Sequence, residues 1–169
     1  MKPLLYVDGY NIIGAWREAE ARDWPLDECR DRLIHLLADY AGYTGQEVWL
    51  IFDGHLSDRL TRSVDERQGL TLVYTKHGET ADQYIERSCG ALPAYREARV
   101  ATSDRLEQTM ILGRGATRLS ARELWRELHQ TRAGGRRQHL SADAERRTPL
   151  FAGLTPEQRE ALEKLRRGR

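Results

Sequence analysis

The sequence predicts an α/β fold, a three-layer α/β/α sandwich around a parallel central sheet. Short apolar runs rich in Val, Leu, Ile and aromatic residues read as buried strands at Leu4 to Val7, Val48 to Phe52, Leu70 to Tyr74 and Arg99 to Thr102. Stretches with helical periodicity lie between them. Strands that alternate with helices need crossover connections, which make neighbouring strands parallel and put helices on both faces of the sheet.

The elements follow in chain order. The first run ends in Val7-Asp8-Gly9-Tyr10-Asn11. Leu26 to Tyr40 then sets Leu26, Cys29, Leu33, Leu36, Leu37 and Tyr40 on one stripe with Asp and Arg opposite, the pattern of an amphipathic helix. The second strand ends in Phe52-Asp53-Gly54, and the third leads into Thr75-Lys76-His77-Gly78-Glu79-Thr80-Ala81-Asp82. A helix over Ala81 to Ala91 comes next, opened by Thr80 and Gln83 at capping-box spacing. The fourth strand ends in Ala101-Thr102-Ser103-Asp104, before helices over Leu106 to Leu112 and Ala121 to Thr131. Beyond these, Ala133-Gly134-Gly135-Arg136-Arg137 reads as flexible and basic, and Ser141 to Arg147 is polar throughout. A last amphipathic segment starts at Thr155-Pro156-Glu157, with Thr155 as cap and Pro156 in the first helical position. The expected organisation is a folded domain over residues 1–132 and a basic linker with a C-terminal helical tail over 133–169.

A chain of 169 residues with 40% hydrophobic side chains is long enough to bury one core without staples. No run approaches the roughly 18 apolar residues that a membrane helix needs, and the N-terminus lacks a signal-peptide pattern. Cys29 and Cys89 form no CxxC pair or metal-type spacing, which points to a reducing cytoplasm. The formal net charge of +1 hides a gradient. Residues 1–112 carry 13 basic and 19 acidic side chains, whereas residues 113–169 carry 14 basic and 7 acidic ones. An acidic body with a basic C-terminal third can hold cations in one region and a polyanion in another.

The chemistry sits where the strands end. Ligands of open parallel sheets bind outside the carboxyl ends of the strands, and those ends deliver Asp8, Asp53, Glu79 with Asp82, and Asp104 to one rim. Neighbouring carboxylates repel unless a cation neutralises them. An all-oxygen donor set with no convergent His or Cys selects a hard ion, Mg²⁺ or Mn²⁺, and such an ion at a phosphate site serves phosphoester hydrolysis. Each acid also has a plainer explanation. Asp8-Gly9 and Asp53-Gly54 are favoured turn dipeptides. Asp82 suits a helix's first turn, and Asp104 with Glu107 has the look of another cap. Asn11, three residues after Asp8, either donates a hydrogen bond that orients Asp8 or a phosphate oxygen, or caps a helix. Gly9 lets the backbone turn close to the site. Lys76 and His77 read as a solvated loop, and His35 and His129 as structural. Gly113-Arg114-Gly115 is neither a phosphate-binding Walker loop nor a dinucleotide fingerprint.

Val7-Asp8-Gly9-Tyr10-Asn11-Ile12-Ile13, Ile51-Phe52-Asp53-Gly54, Gly78-Glu79-Thr80-Ala81-Asp82-Gln83-Tyr84-Ile85-Glu86 and Val100-Ala101-Thr102-Ser103-Asp104 resemble the YacP-like NYN-domain family. So do Gly115-Ala116 and Ser120-Ala121-Arg122-Glu123-Leu124. DGYN, GETAD and ATSD in this order and spacing make a specific signal over roughly residues 3–130. The resemblance implies a PIN-like, Rossmann-like α/β/α fold and a divalent-metal-dependent endoribonuclease. The implied catalytic residues are Asp8, Asp82 and Asp104 with Asn11, and the implied metal set adds Asp53 and Glu79. It also implies Mg²⁺ or Mn²⁺ as cofactor and messenger RNA, in the setting of the ribosome, as partner. Arg114, Arg118, Arg122, Arg136 and Arg137 are the expected RNA contacts, with a solvated charged face as the plainer reading. Two other classes stay open: a non-catalytic RNA- or ribosome-binding module of the same fold, and a small-molecule phosphohydrolase.

Overall fold

The computed structural model describes residues 1–54, 60–103, 116–147, 155–158 and 160–161. The chain divides into two compact units, Met1–Arg132 and Ala133–Arg169. The elements run β1 (Leu4–Asp8), α1 (Gly9–Gly14), α2 (Arg17–Ala21), α3 (Leu26–Thr44), β2 (Glu47–Phe52), β3 (Ser63–Arg67), β4 (Leu70–Tyr74), α4 (Ala81–Gly90), β5 (Ala98–Ala101), β6 (Thr117–Leu119) and α5 (Ala121–Arg147).

The strands form one sheet in the order β3-β4-β2-β1-β5-β6. All pairs are parallel except β3 with β4. From β1 the chain builds outward through β2 to β4, then returns to the other side of β1 for β5 and β6. The topological switch point, where doubly wound sheets hold their ligands, therefore lies between β1 and β5.

Alternation along the strands fills both faces, as expected for a sheet between two helical layers. Leu5, Val7, Leu50, Phe52 and Leu72 point into one core with Ile12 of α1, Leu33 and Leu37 of α3, and Leu124 and Leu128 of α5. Leu4, Tyr6, Ile51, Val73 and Val100 point the other way, onto Tyr84, Ile85 and Cys89 of α4. The predicted three-layer arrangement is thus the observed one, and the predicted parallel sheet holds for every pair but the antiparallel β3–β4 edge.

Several local differences have simple causes. The edge strand β3 escapes sequence reading because Ser63-Val64-Asp65-Glu66-Arg67 is polar and largely exposed. It is joined to β4 by Gln68 and Gly69, both at positive φ (54° and 81°), the geometry of the tight hairpin turn whose twist matches the strands. Leu26, expected on the buried stripe of α3, is 51% exposed because it opens the helix at the rim of the core. The helix that begins at Ala121 does not stop at Thr131. It runs through Gly134 and Gly135 to Arg147, so the stretch read as a flexible linker is helical. Each glycine costs only about 1 kcal/mol in a helix interior, and good helix formers on both sides allow propagation past the pair.

In the second unit, Thr155 N–H donates to Gln158 Oε1 (3.0 Å) and Gln158 N–H to Thr155 Oγ1 (3.4 Å). This reciprocal cap opens a helical turn at Pro156, as the sequence predicts. The predicted helix over Leu106 to Leu112 lies outside the described residues. No helix among the described residues is long and apolar enough to cross a membrane.

Candidate active site

The register places the strand ends at one edge. Asp8 pairs with Ile51, Val7 with Ala101 and Phe52 with Tyr74. Asp8, Asp53, Thr75 and Thr102 therefore leave the sheet at nearly the same height.

Asp8 is the last residue of β1 and is 8% exposed. It occupies the N-cap position of α1 in extended conformation, but its side chain does not cap that helix. The plainer reading of Asp8-Gly9 as a turn dipeptide gives way to a strand end that leads directly into α1, with Gly9 as its first residue. Gly9 follows because nothing larger fits. A Cβ there would stand 2.5 Å from Phe52 Cε1 and 3.1 Å from the Ile51 carbonyl oxygen. The close approach seats the start of α1 directly on β2.

Asn11 sits inside α1, so it is not a helix cap. Its side-chain oxygen accepts from Ser103 Oγ at 2.6 Å, from Thr102 Oγ1 at 3.2 Å and from the Ser103 backbone N–H. Asn11 thus bridges the switch point and ties the segment after β1 to the carboxyl end of β5. Asp104 continues the chain from Ser103 and lies outside the described residues, as does Arg114.

Asp53, half-buried after β2, accepts from the backbone N–H of Ala81 at 3.4 Å. This joins the β2 end to the first turn of α4, where Asp82 follows Ala81 and is itself half-buried. The start of α4 is fixed by the predicted capping box: Gln83 N–H donates to Thr80 Oγ1 and Thr80 N–H to Gln83 Oε1, both at 3.1 Å. Thr75, fully buried after β4, completes the frame. Its hydroxyl donates to the Glu79 carbonyl and accepts from the Gly54 N–H, both at 2.7 Å. A buried hydroxyl between an apolar strand and a polar loop was the signal that sequence reading passed over.

Glu79 is diverted from the acidic rim. The Lys76–Glu79 turn closes with Gly78 at φ 77° and Glu79 N–H donating to the Lys76 carbonyl at 3.0 Å. The carboxylate, 5% exposed, is then gripped by Arg62, whose Nε donates at 2.8 Å, and by Arg87 at 2.7 Å. The Arg62 hydrogen bonds, reinforced by Arg87, hold its pKa down to about 2 against its burial. Its two oxygens are engaged by guanidiniums, so the expectation that Glu79 is a metal ligand is corrected to a structural ion pair.

The remaining acids offer oxygen only, the donor chemistry of a hard divalent ion. Among the described residues, no three His, Cys, Asp or Glu side chains gather into a metal-holding group. Asp8, Asp53 and Asp82 therefore do not compose such a centre by themselves. Of the expected RNA contacts, Arg118 on β6 and Arg122 on α5 are exposed and line the same groove. Arg136 and Arg137 fall within the span of α5.

The domain is a doubly wound α/β fold with acids at the carboxyl edge of its sheet and an amide bridging its switch point. The YacP-like NYN domain profile matches residues 5–167. The chain is 39% identical to YacP of Bacillus subtilis (strain 168) over 167 residues, 98% of this chain and 97% of that protein. The crystal structure of Rae1 (YacP) from Bacillus subtilis superposes with a TM-score of 0.70 at 39% identity, covering 99% of this chain and 96% of that one. A point mutant of the same protein gives 0.64 at 37% identity over 90% and 85% of the two chains. This chain belongs to the YacP-like NYN-domain family. NYN and PIN-like nucleases generally use divalent metal ions.

Proposed function

We propose that the protein is a divalent-metal-dependent endoribonuclease that cuts single-stranded RNA, with messenger RNA in the cytoplasm, in the setting of the ribosome, as its substrate. The observation that carries this reading is the carboxyl edge. Asp8 ends β1 and Asp53 follows β2 at that edge, the Asp53–Ala81 hydrogen bond joins it to the first turn of α4 that carries Asp82, and Asn11 bridges the switch point. Asp8, Asp82 and Asp104 would hold Mg²⁺ or Mn²⁺, directly or through water, with Asp53 in support. A hard divalent ion so bound supplies an activated water and neutralises charge developing on the phosphate.

The chain's own contribution is position. Buried Asp8 is fixed by the sheet, and Asn11 holds the end of β5, from which Asp104 continues, against α1. In the reaction a water oxygen bonds to phosphorus as the bond to the 3′-oxygen breaks, leaving a 5′-phosphate and a 3′-hydroxyl. Arg118 and Arg122 contact backbone phosphates of the substrate, and Arg114, Arg136 and Arg137 extend that contact.

The test is cleavage of a defined single-stranded RNA with Mg²⁺, with Mn²⁺ and with a chelator, followed by analysis of the ends. Metal-dependent products with 5′-phosphates are expected. Cleavage that persists in chelator and leaves 2′,3′-cyclic phosphates would overturn the mechanism. Binding without cleavage would make the protein an RNA-binding module. Turnover of simple phosphate esters but not RNA would make it a phosphohydrolase.

A further inference from the structure

A groove of about 760 Å³ opens beside the switch point, lined in part by Trp16, Arg17, Ser103, Arg118, Arg122 and Trp125. It begins at Ser103, the residue that donates to Asn11 at 2.6 Å, so it adjoins the acid-bearing edge. A smaller groove of about 280 Å³ shares Trp16 and Trp125 and continues to Arg32 and Arg132. The two hollows therefore share one aromatic feature. Trp16 and Trp125 stack at 4.5 Å with 28° between their planes, and Trp24 meets Trp16 edge-on at 5.4 Å. Trp16 is buried within the core, and Trp125 is half-buried and lines both hollows.

The charges suit a polyanion. Arg17, Arg118 and Arg122 are all exposed at the first hollow. Of the two glutamates at the same hollow, Glu18 already pairs with Arg22 at 3.4 Å. A half-buried indole backed by a second ring, lining a hollow with guanidiniums, has the composition of a single-strand site. There aromatic faces stack on bases while cations track the backbone. A duplex would keep its base faces inside its own stack and offer this indole nothing.

Resting on the endoribonuclease reading above, we infer that this groove is the substrate's exit or entry track. Trp125 is the platform for a base a short distance from the cut linkage, and Arg17, Arg118 and Arg122 hold the adjoining phosphates. The groove makes the enzyme select single strands and require several nucleotides on that side of the cut.

Binding is tested apart from cleavage by titrating a labelled 12-nucleotide single-stranded RNA into the full chain carrying Asp8→Asn. Adding Trp125→Leu should weaken binding about tenfold or more, with Trp125→Phe recovering most of the loss. It should leave the salt dependence unchanged. Replacing Arg17, Arg118 and Arg122 with Ala should weaken binding and flatten the slope of log K against log salt by about 2. Thermal melting checks that Trp125→Leu folds. The arginine variants, altered only at exposed positions, decide the matter if it does not. Unchanged affinity and slope in the arginine variants would overturn the inference, even if the enzyme with Asp8 cleaves RNA normally. Groove-dependent binding by a protein that never cleaves would instead remove the endoribonuclease reading and leave the groove standing.

Discussion

At the amino edge of the sheet, Arg99 of β5 donates to Glu127 of α5 at 2.8 Å and to the Tyr40 hydroxyl of α3 at 2.8 Å, while Gln46, just before β2, donates to the same hydroxyl at 2.9 Å. At the carboxyl edge the joints are of another kind. Asn11 accepts from hydroxyls and a backbone N–H, Asp53 accepts from a backbone N–H, and Thr75 links Gly54 to Glu79 through its hydroxyl. The amino edge is thus fastened by an ion pair, its charges neutralised within the protein. The carboxyl edge is fastened mainly by an amide, hydroxyls and backbone groups that set the spacing of the strand ends. Where a carboxylate near that edge does meet guanidiniums, at Glu79, it leaves the acidic rim and becomes part of the scaffold.

The largest stability effect expected of this contrast is at Glu79. Its folded-state pKa, about 2, lies below the ordinary 4.5. Its ion pairs therefore stabilise the fold above the ordinary value and lose that effect as pH falls towards the folded one. The contribution is roughly 2–3 kcal/mol at most. Melting temperatures taken from about pH 5 down to pH 2 should fall more steeply for the wild type than for Glu79→Gln. Equal slopes would mean that the Arg62 and Arg87 pairs contribute nothing.

Glu127→Ala should come next, costing about 2 kcal/mol, because it strips the charged partner from half-buried Arg99. Urea unfolding measures this, and cleavage per folded molecule should not change. Gly9→Ala should cost about 1–2 kcal/mol as Phe52 gives way to a Cβ otherwise 2.5 Å from its ring. Asn11→Ala should move stability least, by about 1 kcal/mol, yet slow cleavage about tenfold through looser placement of the β5 end. A cleavage loss at Glu127 as large as that at Asn11 would erase the distinction between the two edges.

Much of the scaffold was legible because buried strands announce themselves. Leu70 to Tyr74 reads as a strand and is one, since Leu70, Leu72 and Val73 are buried and Thr71 is β-branched. Polar β3 gave no such signal, and neither did α1 and α2, too short to show periodicity. At the site, the acids at the strand ends were visible as residue types, and the register of β1 with β2 and β5 brings their backbones to one edge. Partner choice was not visible. The pull of Arg62 and Arg87 on Glu79, and of Ser103 on Asn11, spans 8 to 92 residues of chain, and only folding brings such pairs within reach. The same holds for Trp16 and Trp125, whose stacking joins distant parts of the chain.

The measurement that bears most directly on the contrast is a paired one, the rate of RNA cleavage and the melting temperature of Asp8→Asn beside those of Glu127→Gln. Asp8→Asn should abolish cleavage with its melting temperature nearly intact, while Glu127→Gln melts earlier and still cleaves. Full cleavage by Asp8→Asn, insensitive to chelator, would contradict the placement of chemistry at the carboxyl edge.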